Sequence, residues 1–96
     1  MGPFLRADEL RAVDDWFSRE DRYALGTDLS TGRCFVSFPV NAGAVGYEEY
    51  YEVDAETYGH YLADPELALP FVEECRRHEH DNLLMVKPGW NRGTPS

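Results

Sequence analysis

The chain has no isoleucine, no glutamine and a single lysine, Lys87, against eight arginines among its 96 residues. That bias fits a GC-rich bacterial genome and speaks of codons, not of function. No apolar run approaches the roughly 18 residues a bilayer-spanning helix needs. The first twenty residues mix acids and bases and hold no apolar core of a signal peptide, so a cytoplasmic location is expected. Cysteine is scarce too. Cys34 and Cys75 sit in apolar patterns on separate elements and are read as buried free thiols of a reducing compartment, a disulfide being the alternative.

The most informative lack is of positive charge. Between Cys34 and Cys75 there is no Lys or Arg, yet that stretch holds Glu48, Glu49, Glu52, Asp54, Glu56, Asp64, Glu66, Glu73 and Glu74. These acids account for the whole net charge of −9, because the other nine acids are matched by nine bases. Like charges oppose compaction, so folding gains nothing from the run. Such a surface aids solubility, and it also complements a basic partner, with long-range steering and short contacts for specificity. A phosphate backbone would be repelled, which argues against nucleic acid as the partner. A protein that imitates nucleic acid would carry this same charge.

What is present suits one packed domain over residues 1–96: 43% hydrophobic and 14% aromatic, with six Tyr, five Phe and two Trp. Leu10, Val13 and Phe17, with Trp16 beside them, are spaced as on an amphipathic helix over about 8–19. A hairpin follows, with strands at 23–27 and 33–38 around the turn-forming Asp28, Leu29, Ser30, Thr31 and Gly32. Pro39 is expected to end the second strand or mark an edge, and 41–44 to form a loop. A third strand at 47–53 divides by parity: Tyr47, Glu49, Tyr51 and Val53 face inward, and Glu48, Tyr50 and Glu52 outward. Asp54 caps a short helix at 55–63. Asp64 and Pro65 open another helix, with Leu67, Phe71 and Cys75 on its buried side, and Pro70 either kinks or restarts it. Residues 83–86 read as a last strand and 91–96 as a flexible tail. The order α-β-β-β-α-α-β predicts an α+β fold, an antiparallel sheet of about four strands with two or three helices packed on it.

Chemistry-bearing patterns are sparse. Cys75, His78, Glu79, His80 and Asp81 are all of metal-ligand type, and His60 could join them through the fold, but H-x-H lacks the spacing of a zinc-binding helix. Cys34 with a histidine would make a nucleophilic dyad, yet it alternates with Val36 and Phe38 as a core residue does. Glu48 and Glu49 point to opposite faces of a strand, which spoils them as an acid–base pair. No catalytic residue, metal or cofactor is expected.

The candidate binding face is instead Tyr47, Glu48, Glu49, Tyr50, Glu52, Asp54 and Glu56, where acids and tyrosines interleave. Tyrosine is enriched at interface hot spots, and carboxylates grip arginine through paired hydrogen bonds. In size, acidity, α+β character, and this aromatic-bearing stretch without catalytic motifs, the chain resembles the small acidic immunity proteins of bacterial polymorphic and contact-dependent toxin systems. The resemblance implies a cytoplasmic, stoichiometric inhibitor that occludes a cognate toxin domain, many such toxins being nucleases with basic clefts. The alternatives are an acidic adaptor or regulatory protein for a basic host partner, and a small metal-dependent hydrolase using His60, His78 and His80.

Overall fold

The computed structural model describes residues 4–6, 8–42, 45–87 and 94–95. Within them β1 (Ala12–Ser18), β2 (Tyr23–Asp28), β3 (Cys34–Ala42) and β4 (Val45–Val53) pair antiparallel in the order β1-β2-β3-β4. Helices α1 (Ala55–Ala63) and α2 (Leu69–Arg76) follow, with 3₁₀ turns at Pro65–Ala68 and Asp81–Leu83. A two-residue strand, β5 (Thr94–Pro95), pairs with Val40 and Asn41 of β3. The α+β class and the four-stranded antiparallel sheet are as expected; the order of elements is not.

The first element is a strand, not a helix. A helix over 8–19 would have buried Val13 and Phe17, but they are 43% and 58% exposed, and of the apolar residues of β1 the half-buried one is Trp16, tilted against Tyr23 at 5.2 Å. Asp14 pairs with Gly26 and Trp16 with Leu25, so Asp15 is the extra residue of a β-bulge. The bulge breaks the period-two alternation and leaves the apolar residues at spacings that mimic a helix. Pairing with the buried strand β2 overrides that local signal.

Three further boundaries differ. β3 runs through Pro39 to Ala42 rather than stopping, because the β2 ladder ends at Ala24↔Ser37 and the missing Pro39 N–H interrupts no β2–β3 pairing. Residues 83–86 form isolated bridges instead of a strand: Leu84 with Tyr51, and Val86 with Leu5. Of the expected tail at 91–96, Thr94 and Pro95 lie in β5, and the rest falls outside the described residues, as do Gly43 and Ala44 of the expected loop.

The turn chemistry is as the sequence indicates. Asp28 N–H donates to the Arg33 carbonyl (2.8 Å), Gly32 N–H donates to the Asp28 carbonyl (2.7 Å), and Gly32 takes φ +78°. Asp54 caps α1 by accepting from Thr57 N–H at 2.7 Å. Pro70 sits in the first turn of α2, where the chain restarts after the 3₁₀ turn opened by Pro65. That restart rotates Leu67 outward, 54% exposed, while Cys75 is fully buried.

The helices cover the sheet face that carries Tyr23, Leu25, Val36, Phe38, Val40, Tyr51 and Val53, and add Tyr58, Ala68, Val72 and Cys75 to one core. Tyr23 hydroxyl donates to the Pro65 carbonyl at 2.6 Å and ties the two layers together. On the opposite face Phe35 is buried with the Tyr50 ring edge-on at 5.0 Å. Ser37 is buried there between the paired Ala24 and Tyr50, and its hydroxyl has no hydrogen-bond partner among the described residues. Ser37→Ala is therefore expected to leave stability unchanged or raise it by up to about 1 kcal/mol, read as an equal or higher denaturant midpoint. A clear fall would mean the hydroxyl is satisfied.

Candidate functional site: the acidic surface

The acidic run divides among several environments. On β4 the expected parity holds. Glu49 faces the helices, 4% exposed, and Tyr51 hydroxyl donates to its Oε1 at 2.7 Å, with Tyr47 hydroxyl 3.3 Å from Oε2. That carboxylate is engaged inside the fold. Glu48 is exposed on the other face, beside the half-buried Tyr50. The Tyr50 phenol is pushed up to about 12 by burial, and then by the charges of Glu48 and Asp14.

Glu52 shares that face and lies 3.9 Å from Arg33 Nε. With Asp54 it edges a groove of about 450 Å³ against Thr57, Tyr61 and Phe71. Glu56 is exposed in the first turn of α1, and the Asp54 carboxyl is held below its ordinary range by the Thr57 N–H it caps. The expected site residues thus occupy two faces of a strand and the start of a helix.

The chain's own cations neutralise part of the run. Arg76 reaches Glu73 at 2.9 Å, donates to the carbonyls of Asp21 and Arg22, and lies over the Phe38 ring at 5.3 Å. His80 Nε2 lies 2.7 Å from Glu74 Oε1. Arg77 pairs with Glu79 and Arg6 with Asp8, both outside the run. Among the described residues Glu48, Glu56, Asp64 and Glu66 form no ion pair.

A second acidic place joins residues far apart in sequence. The Tyr23–Pro65 hydrogen bond brings the β1–β2 turn against the 3₁₀ turn. Between them lies a groove of about 480 Å³ lined by Trp16 and Tyr23 and edged by Glu20, Asp21, Asp64 and Glu66. The Tyr23 phenol is raised by burial, then by Asp21, Glu66 and Asp64, whose fields converge there. Sequence reasoning missed this groove because it placed Trp16 on a helix and read Asp64 only as the opening of another.

The histidines do not assemble. His60 is exposed on α1, His78 is exposed at φ 63° just after α2, and His80 stacks on Phe71 at 5.0 Å. Among the described residues no group of three or more His, Cys, Asp or Glu side chains is placed to hold a metal ion. Both cysteines are free. Burial, then Glu74, Asp81 and Glu49, push the Cys75 thiol up to about 12, and burial followed by Asp15 and Glu52 raises Cys34, so neither is poised as a thiolate at neutral pH. Among the described residues no helix is long and apolar enough to cross a membrane. Comparison with protein-family models, curated proteins and solved structures finds no match to this chain.

Proposed function

We propose that the chain works by stoichiometric binding to a basic protein, as a cytoplasmic inhibitor of the immunity type that neutralises a cognate bacterial toxin. The observation that supports this reading is the set Glu48, Glu56, Asp64 and Glu66, exposed carboxylates that form no ion pair among the described residues. Such groups stay hydrated until an external cation arrives, and together they give the surface a negative field that steers a basic partner. Glu48 beside Tyr50, and Asp54 and Glu52 beside Tyr61 and Phe71, supply aromatic area next to the charge. A pairing of that kind anchors arginine.

The reading is tested by recovering the partner from the native host at low salt and mixing it with the pure chain. A one-to-one complex that dissociates at high salt, with the partner's enzymatic activity lost at equimolar chain, is the expected result. A complex indifferent to salt, or a partner that stays fully active when saturated, would rule the reading out.

A further inference from the structure

The two edges of the sheet are not alike. The β4 edge is covered: Met85 N–H donates to the Tyr50 carbonyl at 2.8 Å, Leu84 bridges Tyr51, and Leu5 N–H donates to the Met85 carbonyl at 2.7 Å. β1, at the other edge, pairs only with β2 among the described residues. Ala12, Val13, Asp14, Asp15 and Phe17 are exposed along it, and Trp16 and Ser18 half-buried. An edge strand of this length presents a row of N–H and C=O groups that an extended segment can continue.

The side chains on and below the edge select the segment. Asp14 and Asp15 stand at the middle of β1, and Glu20 and Asp21 follow in the turn. Two copies paired antiparallel through β1 would set carboxylates against carboxylates, so the edge disfavours its own kind. On the helix side the added strand would pass the groove of about 480 Å³, where Trp16 and Tyr23 meet Glu20, Asp21, Asp64 and Glu66. An indole face attracts a guanidinium, and carboxylates around it complete the recognition of arginine. Arg19 and Arg22, the cations of the same turn, line a different groove with Phe17, Pro39 and Glu48.

We infer that the β1 edge and this groove form the docking surface for an extended, arginine-bearing segment of the partner. The segment adds to β1 as a further strand at the open edge of the β1–β4 meander and places alternate arginines in the groove. The inference rests on the proposed binding of a basic protein and names the surface that does it.

A ten-residue peptide alternating Arg and Thr tests it, titrated at low salt into the full chain and followed by amide NMR. Its controls are the same peptide with Glu for Arg, and two versions N-methylated at alternate amides, one set on each of its edges. The Arg peptide is expected to shift the signals of residues 12–18 and the Trp16 indole, while the Glu peptide shifts none. Glu20→Gln, Asp64→Asn and Glu66→Gln together are expected to weaken binding about tenfold, as three partly exposed ion pairs would. These exposed side chains make no hydrogen bond among the described residues, so the variant should fold. Only one methylated version should bind as well as the parent.

Binding that survives both methylations, or that shifts signals around Glu48 and Glu56 alone, would overturn the docking surface and leave the basic-partner reading standing. An Arg peptide that binds no better than the Glu peptide would count against both. A dimer in sedimentation whose formation shifts the amide signals of residues 12–18 would also overturn the proposed occupant.

Discussion

Replacing Gly26 with alanine is expected to lower stability by about 3 kcal/mol, the upper part of the range for overpacked sites. A Cβ at this position would lie 2.5 Å from Phe35 Cζ and 2.5 Å from the Val13 carbonyl oxygen. Gly26 pairs with Phe35 on one side and with Asp14 on the other, where the β1 bulge begins, so the chain is crowded from both neighbours. Phe35 could be shortened, but the Val13 oxygen is backbone and cannot step aside without loosening the β1–β2 ladder. For a domain of this size the loss corresponds to a fall of about 10–20 °C in Tm. Gly59→Ala is the matched control: nothing lies within 4 Å of the added Cβ, and the residue is inside α1. It should stabilise by about 0.5–1 kcal/mol. Thermal melts of the two variants that moved the same way would contradict this packing.

Asp28→Ala should cost about 3 kcal/mol. Asp28 is fully buried at the end of β2. Its Oδ1 accepts from Arg11 N–H at 2.8 Å and Ser30 N–H at 3.3 Å, and its Oδ2 from Ser30 Oγ at 2.8 Å and Thr31 Oγ1 at 2.6 Å. Removing the carboxylate strands these donors at a hairpin end and releases the segment entering β1. Burial alone would raise the acid, but the bonds from Thr31, Arg11 and Ser30 outweigh it and hold the pKa at about 2, below the ordinary 3.8. A depression of that size is worth about 2 kcal/mol, present in full above about pH 4 and lost as pH falls towards 2. Denaturant melts across that window should show the gap between wild type and Asp28→Asn closing as pH falls. A gap constant from pH 7 to pH 2 would mean the carboxylate is not held ionised by its donors.

The sequence could be read where local chemistry decides the outcome. Gly32 at positive φ, Asp54 as a cap, Pro70 at a helix restart and the two faces of β4 all follow from constraints within a few residues. β1 could not be read, because a single extra residue at Asp15 turns a strand's pattern into the spacing of a helix. Asp15 itself shows what the bulge achieves: it accepts from Tyr58 hydroxyl at 2.6 Å and Thr27 Oγ1 at 3.0 Å, linking three elements. The acidic surface was half legible. Its charge excess is visible from composition, but Glu49 turns inward, and Glu20 and Asp21 meet Asp64 and Glu66 only through the fold.

The role of the unpaired carboxylates is tested most directly by the association rate of the chain with its recovered partner as ionic strength rises. The wild-type rate should fall about tenfold or more between low salt and half-molar salt, as a steered encounter does. With Glu48, Glu56, Asp64 and Glu66 neutralised together, the rate should start low and hardly change. Superimposable curves for the two proteins would show that these carboxylates steer nothing.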